Sequence, residues 1–315
     1  MKVNRTMSAA TLPMFFMVLS MFSTYGMASS NPETTTIKTM KLYSNIDRIE
    51  KELENMGYSE SSVLSQEILS KFDSMHYDGD KAIQAALDVA NHSTIRRSDH
   101  NILDVGSGFG GPARYMASRG NDVLALELQK DVHEKGVELT QRCDLSSKVT
   151  HVCGDILETG NEDWRMPEQY DLLTSWLVFL HISDKKCLLG KCASCVKKGG
   201  SIFIEDFYKR EEFSPEEEKI LSRDIYCESE TLLTREEYIA SLEEAGFTGI
   251  TFVDKTDAWT SFVSDRFKAF LAAKDRFVSI HGIEAYTSLH HFYHAMYTLF
   301  GGSSLGGVRI YGTKK

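Results

Sequence analysis

The sequence predicts an α/β protein, doubly wound around a parallel sheet, with helices before the sheet and a helical region after it. Three observations carry this. From position 101 short apolar runs alternate with helical stretches, the pattern of strands joined by crossover helices. The first run, 102–105, enters Gly106-Ser107-Gly108-Phe109-Gly110-Gly111, a glycine-rich turn that opens a helix with Pro112 in its first turn, where a missing N–H leaves nothing unpaired. The second run, 122–126, ends at Glu127, about 20 residues after the turn, where an acid can accept hydrogen bonds from a ribose.

In chain order, residues 29–40 are polar and read as a linker. Leu42, Ile46, Ile49, Leu53 and Met56 form a helical stripe, 63–72 and 81–90 read as two further helices, and 73–80 is a loop holding Met75, His76 and Tyr77. Strands are expected at 102–105, 122–126, 149–152, 170–175 and 201–205. Helices are expected between them at 112–119, 130–142, 160–166 and 183–197. The alternation stops after Asp206. A charged helix follows at 215–226. Thr234-Arg235-Glu236-Glu237 is a capping box that starts another helix, ending near Gly246. A strand at 250–253, long helices at 259–277 and 284–300, and a final strand at 308–313, antiparallel at the sheet edge, complete the chain.

The 315 residues suffice for one large domain with a cap, and 42% hydrophobic with 25% charged residues is ordinary globular composition. A net charge of −10 argues against tight binding to nucleic-acid phosphates. The six cysteines make no zinc pattern: Cys192-x-x-Cys195 has no second pair at metal spacing. Lys2 and Arg5 precede an apolar run at 12–22, with small residues near Gly26-Met27-Ala28 and no acid before Glu33. Residues 1–28 therefore read as a secretory signal peptide or membrane anchor, with an organellar presequence as the rival and membrane contact through this segment as a corollary. If the remainder enters the ER lumen, Asn91-His92-Ser93 is a glycosylation acceptor.

The glycine spacing is Gly-x-Gly-x-Gly, and no basic residue stands beside Glu127 to receive a second phosphate. Together these features resemble the S-adenosylmethionine (SAM) site of class I methyltransferases more than a nicotinamide site. Asp155, at the third strand tip, suits the adenine amino group, and Ile156 suits the face of the ring. From about residue 42 onward the chain resembles N-methyltransferases of the phosphoethanolamine and sarcosine/dimethylglycine type. That resemblance implies a Rossmann-like seven-stranded sheet with an N-terminal helical lid (42–100), a SAM-binding core (101–206), and an acceptor cap with the C-terminal strands (207–315).

The resemblance also implies a site. Asp104, Gly106, Ser107, Gly108, Gly110, Glu127, Leu128, Asp155, Ile156 and Trp176 would hold SAM, with Tyr77 closing on it from the lid. Phe179-Leu180-His181 is similar to the family's histidine segment and Met56-Gly57-Tyr58 to its tyrosine stretch, so Tyr58 and His181 would handle the acceptor proton. Asp206, Phe207 and Tyr208 would face the acceptor. His290, His291 and His294 share a helix face, but no fourth ligand is evident and no metal is expected. Where the family carries a phosphate-binding Arg and Tyr, this chain has Cys227-Glu228-Ser229-Glu230, an acidic wall unsuited to phosphate. The expected acceptor is therefore a small cationic or zwitterionic amine held by acids and by aromatics such as Trp259 and Phe262. A quinone- or lipid-like acceptor for O- or C-methylation, and a catalytically silent SAM-binding subunit, are the alternatives.

Overall fold

The computed structural model describes residues 46–73, 76–93, 95, 99–158 and 168–315. The expected N-terminal segment, the linker and the helix at 160–166 lie outside the described residues. Seven strands form one sheet in the order β3-β2-β1-β4-β5-β7-β6. They are β1 (Asn101–Val105), β2 (Asp122–Glu127), β3 (Val149–Cys153), β4 (Tyr170–Trp176), β5 (Val196–Lys209), β6 (Phe247–Asp254) and β7 (Leu305–Lys314). The first five are parallel, and β7 runs antiparallel to both β5 and β6.

β1 lies inside the sheet, between β2 and β4, with apolar side chains on both faces. Leu103 and Val105 pack toward helices α6 (Lys185–Cys195) and α8 (Arg235–Glu244), and Ile102 packs toward α3 (Asp80–Asn91) and α4 (Gly111–Ala117). Strand order reverses between β1 and β4, and the crevice beyond their carboxyl ends is where such sheets bind ligands.

Helix α5 (Lys130–Arg142) has its expected bounds, while α3 runs one residue further at each end. Four expectations are corrected. The final strand is not at the edge: β7 inserts between β5 and β6, leaving β6 outermost. The helix expected at 63–72 is the single turn α2 (Gln66–Leu69), capped by Ser65. The helix expected at 259–277 is two, α9 (Thr256–Ala272) and α10 (Lys274–His281), breaking at Ala273. The acidic run is also interrupted: α7 (Pro215–Ile220) passes into a π-helical turn (Leu221–Ile225) that ends on Tyr226 at φ +55°. Helices α9 and α11 (Ile283–Gly301) pack together, and lid helix α1 (Arg48–Asn55) lies against α10. Among the described residues no helix is long and apolar enough to cross a membrane.

Candidate active site

The glycine turn is fastened to the end of β2. The Gly106 and Ser107 N–H groups both donate to the Leu126 carbonyl, at 2.8 and 2.9 Å. Glu127, 6% exposed, accepts from the Gly108 N–H at 2.9 Å and the Gln129 N–H at 2.8 Å. Its carboxylate is thus fixed beside the turn with lone pairs to spare for a diol, and burial raises its pKa. Gly106 is required twice over. Its φ is +71°, and an added Cβ would lie 2.3 Å from the Val178 side chain. Beneath the turn, Asp104 Oδ1 accepts from Thr174 Oγ1 at 2.7 Å and Trp176 Nε1 at 2.9 Å. Burial pushes Asp104 up to about 7, against those two hydrogen bonds.

These residues fit the expected cofactor. Asp104 Oδ2 and Ser107 Oγ are buried without hydrogen-bond partners, an acceptor and a hydroxyl suited to the ammonium and carboxylate of a methionine moiety. The third tip adjoins the second, since the Gly154 N–H donates to the Glu127 carbonyl at 2.9 Å. There Asp155 Oδ1 accepts from the Leu157 N–H at 2.8 Å, so one of its oxygens caps the turn, and Ile156 is buried in one cluster with Val105 and Leu126. Leu128 is half-buried after β2.

Next to this site a small cavity is lined by Tyr77, Leu177, Leu180, His181, Phe207, Ile225, Phe292 and Met296. Its free volume is about 10 Å³, room for about one water, so a larger guest requires the walls to part. His181 Nδ1 lies 3.0 Å from the Tyr226 carbonyl. A carbonyl only accepts, so Nδ1 carries the hydrogen and Nε2 keeps its lone pair. Burial lowers His181 to about 4, which keeps it neutral. The Tyr77 phenol is pushed well up by burial and stays protonated; its ring stacks on Trp259 at 4.4 Å.

Several predicted site residues stand elsewhere. Tyr58 is not brought to His181: it packs beside Leu53, Leu64, Phe109 and Val132, in a cluster separate from that of Tyr77. Tyr77, not Tyr58, is the tyrosine that lines the histidine's cavity. Trp176 supports Asp104 from the α3 face of the sheet. Of the β5 trio, Phe207 alone lines the cavity. Asp206 points the other way to Tyr238, at 3.3 Å, and Tyr208 to Asp254, at 2.8 Å, as strand alternation requires. Glu228 and Glu230 are exposed and do not line the cavity, and Trp259 is fully buried behind Tyr77, so neither the acidic wall nor a tryptophan contact is present. His291 Nε2 meets Asp224 at 2.9 Å, while His290 and His294 pack on Phe267.

Sequence reading missed the fastenings of the lid. Arg114, fully buried in α4, pairs with Asp73 of the lid, and its Nη1 donates to the Phe109 carbonyl at 2.7 Å and Thr140 Oγ1 at 3.1 Å. The loop carrying Tyr77 is held by Asp78, whose Oδ2 lies 2.7 Å from Lys255 and 3.8 Å from Arg309. Arg309 in turn binds Glu205 on β5 at 2.6 Å. An Arg in the first turn after the glycines, with no exposed role to explain it, was the available signal for the first fastening.

Residues 102–200 match the methyltransferase domain family. The chain is 25% identical over 257 residues to the phosphoethanolamine N-methyltransferase of Plasmodium falciparum, a match covering 79% of this chain and 90% of that one. It is 30% identical over 162 residues to the sarcosine/dimethylglycine N-methyltransferase of Halorhodospira halochloris, covering 50% of this chain and 55% of that one. In fold it is similar to Haemonchus contortus phosphoethanolamine N-methyltransferase 2, solved with phosphomonomethylethanolamine and S-adenosylhomocysteine. That likeness has a TM-score of 0.69 at 18% identity, over 84% of this chain and 60% of that one.

Proposed function

We propose that this chain, a SAM-dependent methyltransferase, methylates the nitrogen of a small amine held in the cavity beside His181. The observation that carries the reading is the His181 geometry: Nδ1–H committed to the Tyr226 carbonyl, Nε2 free to accept, and the ring neutral in an apolar enclosure. The two relatives above, one named for phosphoethanolamine and one for sarcosine/dimethylglycine, support an amine acceptor.

When bound, SAM supplies a methyl group on a sulfonium, which leaves as a neutral thioether. The chain's residues do the rest. Asp104 and Ser107 would hold the methionine end, Glu127 the ribose hydroxyls, and Asp155 with Ile156 the adenine. The Tyr77 loop and the apolar cavity walls exclude water and fix the acceptor. An amine can attack only through its lone pair, and His181 Nε2 would take an ammonium proton first. The same apolar walls that lower the histidine's pKa also lower the ammonium's, so the transfer joins two groups shifted in one direction. Tyr77 remains a phenol and can donate or accept a hydrogen bond, but not act as an anion.

A specific observation favours one rival. Six of the eight cavity residues, Leu177, Leu180, Phe207, Ile225, Phe292 and Met296, are apolar, which suits a quinone- or lipid-like acceptor for O- or C-methylation. A screen with methyl-labelled SAM separates the readings. Label in amines, reduced at least tenfold in His181→Asn, is the expected result. Label confined to quinones or lipids overturns N-methylation. Binding of S-adenosylhomocysteine with no transfer to any acceptor points to a silent subunit.

A further inference from the structure

Two buried ionisable side chains stand behind the turn that carries His181, and the reading above uses neither. His181 closes a single 3₁₀ turn, Phe179–His181, between β4 and α6. Lys185, in the first turn of α6, is 9% exposed. Its Nζ donates to the Phe179 carbonyl and to the Ile182 carbonyl, each at 2.6 Å. Those two carbonyls bracket the histidine. Leu180, between Phe179 and His181, is gripped as well. Its carbonyl accepts from Thr231 Oγ1 at 2.8 Å and from Cys227 Sγ at 3.4 Å, and its N–H bonds the Asp206 carboxylate. Asp206, 1% exposed on β5, also accepts from the Phe207 N–H at 2.9 Å and the Tyr238 hydroxyl at 3.3 Å. A neutral donor would satisfy the two carbonyls without the cost of taking an ammonium out of water. A cation in a helix's first turn also opposes the helix dipole. Two local rules broken at one residue point to a task beyond stability.

We propose that Lys185 is a positioning residue for His181: by holding both carbonyls it keeps the turn in the one arrangement that sets Nδ1–H on the Tyr226 carbonyl and leaves Nε2 to the acceptor. This role rests on His181 acting as the base in the reading above; Lys185 adds what sets the ring's direction and its charge. Direction comes from the two hydrogen bonds. Charge comes from the ammonium itself, which disfavours a second proton on the imidazole and so adds to the larger effect of burial. The other titratable groups around the turn act less directly. Tyr77 of the lid loop stays a phenol, and burial pushes the Cys227 thiol up to about 12. Asp206, pushed up to about 7 by burial, attracts Lys185 when ionised. The α11 side chains in the cavity wall, Phe292 and Met296, are uncharged. Removing the ammonium should therefore raise the pKa of His181 and free its ring to turn.

The test reads the imidazole directly. The full chain carrying isotope-labelled histidine gives long-range proton–nitrogen spectra, in which His181→Asn identifies the His181 signal. The wild type is expected to show the Nδ1–H tautomer, neutral down to about pH 5. In Lys185→Met the pKa should rise by about one pH unit or more, and the two tautomers should mix. In Lys185→Arg, which keeps the charge and the donors, both should stay near the wild type. With methyl-labelled SAM and the amine found in the screen, kcat should fall about tenfold or more in Lys185→Met, and Lys185→Arg should recover most of it. Affinity for S-adenosylhomocysteine serves as the folding control. If Lys185→Met does not fold, Lys185→Gln, which keeps donors but not the charge, should still raise the His181 pKa. An unchanged pKa and tautomer in the uncharged variants, or an equal loss of kcat in Lys185→Arg and Lys185→Met, overturns the positioning role and leaves N-methylation standing. If the wild type methylates no amine, the N-methylation reading fails, and the tautomer and pKa of His181 decide the role of Lys185 alone.

Discussion

Asp73→Asn is the sharpest perturbation of the site's frame. Asp73 and Arg114 are 2% and 0% exposed, so the substitution leaves a full positive charge in a protein interior. Removing one partner of such a pair costs about 3–5 kcal/mol, because the remaining ion is neither hydrated nor paired. At about 2–4 °C per kcal/mol for a chain of this size, the melting temperature should fall by about 6–20 °C. Arg114 also grips the Phe109 carbonyl inside the glycine turn at 2.7 Å, so a shifted guanidinium should loosen the turn and weaken S-adenosylhomocysteine. Circular dichroism melts and titration calorimetry read both effects. The double variant Asp73→Leu with Arg114→Met, which removes both charges, should recover more than half of the lost stability. The reasoning is refuted if Asp73→Asn melts within about 2 °C of the wild type, or if the double variant is as unstable as the two losses summed.

Three further outcomes are expected. Gly106→Ala should reduce S-adenosylhomocysteine affinity at least a hundredfold in calorimetry, since the new methyl group meets Val178 and φ is +71°; unaltered affinity would mean the turn is not the cofactor loop. His76 is fully buried and depressed to about 4 by desolvation, so the fold favours its neutral form. Its stabilisation is present above the ordinary imidazole value of 6.5 and is lost as pH falls from there through about 4. Between pH 7 and 4.5 the wild type should therefore lose more stability than His76→Gln, and equal losses in urea titrations would count against it. Glu52→Gln should release α1 from Arg276 and His281. The expected cost is about 1–3 kcal/mol, discounted because Arg276 is partly exposed, and protease cleavage near α1 should rise several-fold.

The glycine-turn half of the candidate site was legible because it is local. Asn101 to Glu127 is a strand, a turn, a helix and a strand in succession, and the turn chemistry and the acid at the second tip are written within one stretch. The cavity half was not, because it joins distant segments. Tyr77, His181, Phe207, Ile225 and Phe292 come from five of them. Choosing Tyr77 over Tyr58 as the histidine's neighbour needed the path of the lid, which Arg114 and Asp73 set. The face of β5 was misread at Asp206 and Tyr208 because period-two alternation was not applied beyond the expected strand end at 205. The break at Ala273 was hidden because alanine is a good helix former.

The place of β7 bears on how the molecule comes to exist. It is the seventh strand in chain order, yet it lies between the fifth and the sixth, pairing with β5 from Ser201↔Thr313 to Lys209↔Leu305. Until that strand emerges from the ribosome, β5 and β6 cannot be joined, and each presents unsatisfied backbone groups to any passing chain. Completion of the sheet must therefore wait for synthesis to pass residue 314, so whatever guards the nascent chain must shield two open seams until then.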